Sequence, residues 1–340
     1  MARTDPTAPG STVEARIAGR APRVHILTGA VCNNNCIFCM EEDRDGRYVV
    51  NSATTDETVR AILAKHRRYE EVCFTSGEPT TNQRLPAWIK MARDAGAERI
   101  SVMTNGRALS YERYARLLLA AGLNKVYVSV HGHTAKLHEG LTRTPGSFAQ
   151  TVAGIEAIAR LKRHGVALHT STVVTRRNLP HLGPIYRFLR ERGVEQVVFN
   201  VMQANGRADT YFEQLFPRYT EIAAAAAEFL AGEPERPAQA FFVDIPLCTT
   251  TALPDHNRGY VEDYVHFEAP VGVSPDLIPA ERLAERREGG LVAVRRADLD
   301  ESARRKRPEC GSCRYDGVCE GVWGNYLRRY GWDEFRPVPP

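Results

Sequence analysis

The sequence predicts an α/β fold with a parallel β-sheet, and three observations support this prediction. Short apolar segments alternate with longer segments of helical periodicity from residue 23 to residue 235, which is the pattern of repeated βαβ units. The 340 residues are 43% apolar, so the chain can bury the core of one large α/β domain, or of one domain with a small appendage. Beyond about Arg236 the alternation stops, and the chain becomes rich in loops and proline.

Six strands and six helices follow one another along the alternating segment. The predicted strands are 23–28, 71–76, 100–104, 125–130, 166–174 and 196–201. The predicted helices are 55–69, 86–95, 111–121, 148–164, 181–192 and 219–230. Parallel strands joined by helices end at one edge of their sheet, and the chemistry of parallel β/α barrels gathers at those carboxyl ends. We therefore expect the functional residues in the loops that follow the strands.

The same pattern divides the chain into a polar lead-in at 1–22, an α/β core at 23–235 and a loop-rich domain at 236–340. The lead-in lacks the apolar stretch of a secretory signal, and no run of eighteen apolar residues occurs. We therefore expect a cytoplasmic protein without a membrane partner. The net charge of +4 is spread along the chain, so a nucleic acid is not expected as a partner either. Eight cysteines in such a chain favour metal ligation over disulfides.

Three cysteines, Cys32, Cys36 and Cys39, follow the first predicted strand with the spacing C-x3-C-x2-C. Gaps of this length let three thiolates converge from one loop onto three corners of a cubic [4Fe–4S] cluster, which leaves the fourth iron without a protein ligand. An open, reducible iron can bind a small molecule and pass an electron to it. A structural zinc site is the alternative, although zinc prefers four closed ligands and paired C-x2-C units.

This loop resembles the cluster loop of the radical S-adenosylmethionine (radical SAM) superfamily, and an aromatic residue, Phe38, precedes its third cysteine. The resemblance covers nearly the whole chain and implies a (β/α)6 partial TIM barrel as the core. It also implies that S-adenosylmethionine (SAM) is chelated at the open iron and cleaved reductively to a 5′-deoxyadenosyl radical. An external one-electron donor such as a flavodoxin or a ferredoxin would then reduce the cluster.

The segment at 75–79, Thr-Ser-Gly-Glu-Pro, is similar to the Gly-Gly-Glu-Pro motif of that superfamily. Ser76 stands in place of the first glycine of the motif, and Gly77 and Glu78 match it. SAM carries a cationic amino group, for which the Glu78 carboxylate and exposed backbone carbonyls are suitable partners. The alternative is an ordinary turn between a strand and a helix.

Three later positions extend the match. Asn105 follows the third strand. In the superfamily, a polar residue on the fourth strand contacts the SAM ribose, and Ser129 matches it. An arginine in the next loop contacts the SAM carboxylate there, and Arg143 matches it. Strand alternation alone does not decide which further polar residues face the same mouth and which face the core. These undecided residues are Ser171, Thr172 and Asn200.

Two histidines and one cysteine near these strands are not expected to bind metal. One of His131 and His133 is expected to face the cavity and the other to be solvated, because the cluster already has three thiolates. Cys73 lies inside an apolar strand, where a free cysteine behaves as a small core residue.

A second cysteine group, Cys310, Cys313 and Cys319, has the spacing C-x2-C-x5-C, and the distant Cys248 supplies a fourth thiolate. The group resembles the auxiliary-cluster extensions of radical SAM enzymes that are called SPASM or, in shortened form, twitch. Four cysteines fit one auxiliary [4Fe–4S] cluster, with roles in electron transfer and in closing the barrel mouth. A structural zinc site with four thiolates is the alternative.

The resemblance predicts an enzyme that removes a hydrogen atom from its substrate. Only about 22 residues precede the first strand, so we expect a small-molecule substrate, such as a sugar, aminoglycoside or nucleoside intermediate of specialised metabolism, rather than a peptide that needs its own recognition domain. Dehydrogenation and radical decarboxylation are the expected reactions. Maturation of a ribosomal peptide and a non-catalytic iron–sulfur or zinc protein are the alternatives. No catalytic acid or base is assigned, and the candidates are Glu262, Asp263, Tyr264 and His266.

Overall fold

A computed structural model describes residues 21, 23–29, 31–39, 54–202, 207–236, 238–259, 276–278, 292–294, 304–319 and 321–340. Its main feature is a sheet of seven parallel strands, hydrogen-bonded in the order in which they occur along the chain. The strands are β1 Arg23–Leu27, β2 Tyr69–Thr75, β3 Ala97–Thr104, β4 Lys125–Ser129, β5 Ala167–Val174, β6 Gln196–Val201 and β7 Gln239–Val243. The predicted α/β fold with a parallel sheet is confirmed.

Helices connect the strands in the described part of the chain. They are α1 Asp56–Leu63, α2 Leu85–Asp94, α3 Glu112–Ala121, α4 Ala135–Thr142, α5 Ser147–Leu161, α6 Leu182–Arg190, α7 Arg207–Thr210, α8 Phe212–Leu215, α9 Tyr219–Gly232, α10 Pro254–Gly259 and α11 Gly324–Tyr330. Four further short strands form two antiparallel pairs, β8 Asp276–Ile278 with β9 Val292–Val294, and β10 Arg304–Arg305 with β11 Val322–Trp323. Within the described ranges, none of the helices has the length and apolar character needed to cross a bilayer.

The two faces of the sheet differ in chemistry. One face carries fully buried apolar residues, among them Ile26, Phe74 and Val128, and these form one core cluster with the helices. We call the other face the inner face; along each strand its residues alternate with those of the first face. On β5 the helix-facing residues are buried, whereas His169 and Ser171 on the inner face are partly exposed. The inner face therefore lines a space that is open to small molecules, as expected of a partial barrel.

Several elements were not predicted from the sequence, and two of them, β7 and α4, bear on the site. The strand β7 lies beyond residue 236, where we expected the alternation to stop, so the sheet has seven parallel strands instead of six. The helix α4 was not predicted; it begins at Thr134, whose side chain accepts a hydrogen bond from the N–H of Leu137, and it ends at Arg143. Both elements contribute to the site described below.

The C-terminal segment packs on the core through aromatic rings. Tyr326 of α11 lies 4.6 Å from Tyr219 of α9 and 5.9 Å from Phe335, between ring centroids. A buried ion pair of 2.6 Å joins Arg304 to Asp244, the residue that follows β7. These contacts hold the second cysteine group next to the end of the sheet. The division of the chain near residue 236 into two domains stays a prediction.

The amino ends of the first strands carry paired charges. Arg23 and Arg99 both contact the Glu70 carboxylate, at 2.5 and 2.6 Å, and Lys125 lies 3.9 Å from Glu71. Buried charges require such partners because an unpaired charge away from water is strongly unfavourable. The network occupies the edge of the sheet opposite to the cysteine loop, so we do not assign it to the functional site.

Candidate functional site

The three cysteines of the first group lie in one loop that leaves the carboxyl end of β1. Cys32, Cys36 and Cys39 are all partly buried and free of disulfides. Burial, with smaller contributions from the neighbouring thiols of Cys32 and Cys39, raises the pKa of Cys36 to about 12. The three thiols are thus close enough to repel one another when ionised. A bound metal centre would remove that penalty, because metal ligation stabilises the thiolate.

The backbone of this loop is fixed by the end of α4. The N–H of Asn35 donates to the carbonyl of Thr142 at 3.0 Å and to the hydroxyl of Thr144 at 3.1 Å. The N–H of Ile37 donates to the carbonyl of Leu141 at 2.9 Å. Arg143 lies between these anchor points, so the structure places this exposed arginine beside the cysteine loop.

Arg207, the first residue of α7, binds the same loop from the other side and was not identified from the sequence. Its guanidinium donates to the side-chain oxygen of Asn35 at 2.7 Å, to the Asn35 carbonyl at 3.2 Å and to the Cys36 carbonyl at 3.0 Å. Its N–H donates to the carbonyl of Cys39 at 2.9 Å. One residue therefore fixes the backbone at two of the three cysteines.

The loop after β2 turns sharply at Ser76 and Gly77, which have φ angles of 74° and 56°. Two consecutive residues in the left-handed region explain why glycine suits these positions, and Ser76 adopts the same conformation at some cost. Glu78 follows, and its N–H donates to the carbonyl of Val31 in the cysteine loop at 2.8 Å. The Ser-Gly-Glu turn is therefore bonded directly to that loop.

A ligand of the SAM amino group would be expected to be open to solvent before SAM binds. The Glu78 side chain is instead buried. It is 2% exposed, and its carboxylate accepts hydrogen bonds from the N–H and hydroxyl of Thr80, the hydroxyl of Thr104 and the N–H of Asn105. Burial is the main influence on this carboxyl and raises its pKa, while these donors lower it. With both oxygens occupied, Glu78 joins the ends of β2 and β3.

Asn105 and Arg107 connect the end of β3 to the cysteine loop. The side-chain amide of Asn105 donates to the side-chain oxygen of Asn33 at 2.6 Å. The Arg107 guanidinium donates to the carbonyl of Asn33 and, at 3.0 Å, to the side-chain oxygen of Asn34. The predicted site residues Glu78 and Asn105 are thus in one hydrogen-bonded network with the cysteine loop, and Gly77 directly precedes Glu78 in the turn.

The register of the sheet places the remaining polar candidates. Ser129 pairs with Ser171 across β4 and β5, and both are on the inner face, as is Asn200 near the end of β6. Thr172 is fully buried on the opposite face, where its hydroxyl donates to the carbonyl of Val130 at 2.6 Å. Ser129, Ser171 and Asn200 therefore face the inner space, whereas Thr172 is structural.

His131 is buried beside the cysteine loop. Its ring contacts that of Phe38 edge to face, with centroids 4.6 Å apart, and its Nδ1 accepts the N–H of Val173 at 3.2 Å. Burial, and next the proximity of His138, hold the pKa of His131 well below its ordinary value, so the ring is neutral. His133 is half-buried and lies 5.3 Å from the ring of His181. Cys73 is buried inside β2, as predicted.

The four cysteines of the second group line one pocket. Cys248, Cys310, Cys313 and Cys319 surround about 430 Å³ of space free of protein atoms, including its open mouth. Burial, and then the three other thiols, raise the pKa of Cys248 to about 12. Residues 262–266, which include the candidates Glu262, Asp263, Tyr264 and His266, lie outside the described residues.

The spacing of these thiols bears on which metal centre they fit. In the described part of the chain, no three His, Cys, Asp or Glu side chains are close enough to share one metal ion. A cubic cluster instead spreads its ligands over separate irons, whereas a single zinc ion draws four sulfurs to about 2.3 Å. Thiols in one group of three and one group of four are donor sets of the kind that hold iron–sulfur clusters.

The α/β core is similar to known proteins. The family model for the Radical SAM superfamily matches residues 26–205, more than half of the chain. An AdoMet-dependent heme synthase of Methanosarcina barkeri is 29% identical over 181 residues, which are 53% of this chain and 50% of that protein. A GTP 3′,8-cyclase of a Synechococcus species is 28% identical over 201 residues, which are 55% of this chain and 57% of that protein. The chain thus spans about half the length of the curated relatives it matches.

A solved structure extends the likeness over most of the fold. SuiB of Streptococcus suis bound to S-adenosylmethionine superimposes with a TM-score of 0.63 at 14% identity, covering 94% of this chain and 77% of that chain. SuiB bound to the precursor peptide SuiA gives a TM-score of 0.60 at 13% identity, covering 93% of this chain and 75% of that chain. At these identities the likeness concerns the fold. On the family match over more than half of its length, the chain belongs to the radical SAM superfamily.

Proposed function

We propose that this chain is a radical SAM enzyme that removes a hydrogen atom from a small-molecule substrate. The observation that carries the proposal is the convergence of the thiols of Cys32, Cys36 and Cys39 in the loop after β1. A [4Fe–4S] cluster bound there supplies one electron that cleaves SAM into methionine and a 5′-deoxyadenosyl radical, the species that takes the hydrogen atom. A flavodoxin or a ferredoxin is the proposed external donor of that electron.

Five residues are proposed to form the SAM site, three of them by direct contact and two by holding the backbone around it. The backbone of Gly77 is assigned to the SAM amino group, and Glu78 holds that backbone in place, since its carboxylate already accepts four hydrogen bonds. Ser129 on the inner face is assigned to the ribose. Arg143 beside the cysteine loop suits the SAM carboxylate because a guanidinium can engage both oxygens. Asn105 acts next to them by holding the loop at Asn33.

A second [4Fe–4S] cluster is proposed for Cys248, Cys310, Cys313 and Cys319, in a twitch-like C-terminal domain at 236–340. One observation supports it: the four thiols line one pocket. With four thiolate ligands this cluster has no open iron for a substrate. Its proposed role is to accept one electron from the substrate.

The proposed substrate is a sugar, aminoglycoside or nucleoside intermediate of specialised metabolism. Partly exposed polar residues on the inner face that are not assigned to SAM, Ser171 and Asn200, suit the hydroxyl groups of such molecules. Two relatives carry names of small-molecule enzymes, a heme synthase and a GTP cyclase, which supports the same class. A secondary alcohol would become a ketone if it lost one hydrogen atom to the 5′-deoxyadenosyl radical, one proton to solvent and one electron to the second cluster. Radical decarboxylation of a sugar acid is the second proposed reaction.

Iron content tests the two metal sites. After anaerobic reconstitution we expect about eight irons per chain in the wild type and about four in a Cys310/Cys313/Cys319→Ala variant, since each cubic cluster holds four. Cys73→Ala is the matched control, because this buried cysteine is not a proposed ligand, and it should keep about eight irons. About four irons in both the wild type and the triple variant would remove the second cluster and leave the tail as a zinc site or an empty one.

Release of 5′-deoxyadenosine tests the substrate class. The reconstituted enzyme is incubated with SAM, a reductant and, in separate reactions, a sugar, an aminoglycoside, a nucleoside or a ribosomal precursor peptide. We expect one of the small molecules to raise the release above the rate with SAM alone, and Cys36→Ala to abolish it. A response to the peptide only would replace this proposal by peptide maturation. No release under any condition would favour a non-catalytic iron–sulfur or zinc protein.

A further inference from the structure

The C-terminal segment at 335–338 lies against the pocket of the second cysteine group. Phe335 and Pro337 line that pocket together with the four cysteines. The N–H of Arg314 donates to the carbonyl of Val338 at 2.9 Å, and the Arg307 guanidinium donates to the carbonyl of Phe335. These bonds fix the position of the segment at both of its ends.

Two N–H groups of this segment point at cysteine sulfurs. The N–H of Val338 donates to the Sγ of Cys313 at 3.3 Å. The backbone of Arg336 forms a hydrogen bond with Cys248. Pro337 between them has no N–H to leave without a partner. The sequence Arg-Pro-Val thus presents two donors to two thiols.

A third sulfur receives a donor from a residue whose geometry requires glycine. The N–H of Gly321 donates to the Sγ of Cys319 at 3.4 Å. Gly321 has a φ angle of 95°, and a Cβ built on it would lie 2.5 Å from the carbonyl oxygen of Arg305. No other residue fits there without a shift of the backbone. Three of the four thiols therefore accept backbone N–H groups.

Hydrogen bonds to ligand sulfurs change the redox properties of iron–sulfur clusters. An N–H dipole directed at a thiolate stabilises the form of the cluster with more negative charge, which is the reduced form, and so raises the reduction potential. The effect is large where water is excluded, because the dipole is then weakly screened. The segment at 335–338 both supplies such dipoles and covers the pocket.

We propose that the N–H of Val338 raises the reduction potential of the cluster bound by Cys248, Cys310, Cys313 and Cys319, so that this cluster accepts an electron. The inference rests on the proposed function in assigning a [4Fe–4S] cluster to these cysteines. Val338 is a tuning residue, since it touches a ligand sulfur and not the substrate. Its side chain has no part in the effect.

The test compares Val338→Pro with Val338→Ala. Proline removes the N–H and keeps the carbonyl that binds Arg314, whereas alanine keeps both groups. Both changes are made in full-length protein that carries Cys32→Ala, Cys36→Ala and Cys39→Ala, so that only the second cluster is present. An EPR-monitored redox titration then gives the ratio of reduced to oxidised cluster at a fixed potential. We expect this ratio to fall about tenfold in Val338→Pro, which is 59 mV for one electron, and to stay unchanged in Val338→Ala.

The outcomes separate this inference from the function on which it rests. If the triple alanine background binds no iron, the second cluster itself is wrong. If it binds about four irons but the proline and alanine variants titrate alike, the cluster stands and the role of Val338 is overturned.

A second measurement covers the case in which the proline variant fails to bind iron. Protein labelled with ¹⁵N-valine should show a ¹⁵N coupling to the reduced cluster by pulsed EPR. Val338→Ala should lose the part that comes from position 338, because the alanine nitrogen is unlabelled, while Val322, which also lines the pocket, keeps its label. An identical signal in both labelled proteins would also overturn the inference.

Discussion

The backbone N–H of Asn105 donates to the buried carboxylate of Glu78 at 2.6 Å, which ties the end of β3 to the loop that follows β2. Thr80 and Thr104 donate three more hydrogen bonds to the same carboxylate. The N–H of Glu78 in turn donates to the carbonyl of Val31. A single acidic residue thus connects two strand ends with the loop that carries the first three cysteines.

We expect Glu78→Ala to lower the free energy of unfolding by about 3 kcal/mol, because it leaves several buried donors without an acceptor. Chemical denaturation of the variant and of the wild type measures the difference. Glu57→Ala is the matched control, since Glu57 is exposed in the first turn of α1 and its removal should change stability by no more than about 0.5 kcal/mol. An equally small loss in Glu78→Ala would contradict the structural role of this carboxylate.

Arg207→Ala should weaken the binding of iron by the first cysteine group. The guanidinium holds the carbonyls of Asn35 and Cys36, and partners of this kind, outside the ligand set, change metal affinity about tenfold to a hundredfold. The measurement is the rate at which a chelator removes iron from the reconstituted protein. Arg116→Ala is the control, because Arg116 is exposed on α3 and pairs with Glu112. Equal rates in the two variants would show that the loop keeps its shape without Arg207.

Stability should fall in mild acid because of His138. Burial lowers the pKa of this histidine from 6.5 to about 4, so between these values the unfolded chain binds a proton that the folded protein does not. Stability from this group is therefore present above pH 6.5 and is lost as the pH falls, by about 2 kcal/mol between pH 6.5 and pH 5.

His138→Asn tests this pH dependence. Asparagine does not titrate, and its side-chain oxygen can accept the N–H of His131, as Nδ1 of His138 does at 3.2 Å. Urea denaturation at several pH values should give a smaller slope of unfolding free energy against pH for the variant. A slope equal to that of the wild type would assign the acid sensitivity to other groups.

The parallel sheet and the two short cysteine motifs could be predicted because their signals are local in sequence, whereas the distant Cys248 was added by resemblance to a known domain. Three cysteines within eight positions, Cys32 to Cys39, can only share one loop. The strand β7 was missed because one short strand follows a segment with Pro234 and Pro237, which indicates a loop. Its place in the sheet comes from pairing with β6, which sequence periodicity does not record.

The partners of the site residues could not be predicted, since they depend on the path of the chain. Arg207 contacts Asn35 across 172 positions of sequence, and nothing near Arg207 indicates that contact. Glu78 was recognised by its motif, but two of the four donors to its carboxylate come from the end of a different strand, at Thr104 and Asn105. The orientation of Ser171 and Thr172 also depended on which face of β5 packs against the helices.

Two tyrosines that lie 4.6 Å apart should respond in opposite ways to the loss of their hydroxyl groups. The hydroxyl of Tyr219 is buried and has no hydrogen-bond partner among the described residues. The hydroxyl of Tyr326 accepts the N–H of Tyr219 at 3.2 Å and donates to the Glu334 carboxylate. Tyr326→Phe should therefore lower the free energy of unfolding by about 2 kcal/mol, because two buried groups lose their partner. Tyr219→Phe should raise it by up to about 1 kcal/mol, because it removes an unsatisfied polar atom.

Urea denaturation of both phenylalanine variants measures these changes under one condition, and the ring packing is the same in each. A loss of stability in Tyr219→Phe equal to that in Tyr326→Phe would mean that the Tyr219 hydroxyl has a partner after all. A water molecule or the sulfur of a bound cluster would then be the candidates. Burial is the main cause that raises the pKa of Tyr219, and the nearby Cys319 is a smaller one. Repeating the comparison with and without iron separates the two, because only a cluster partner disappears with the metal.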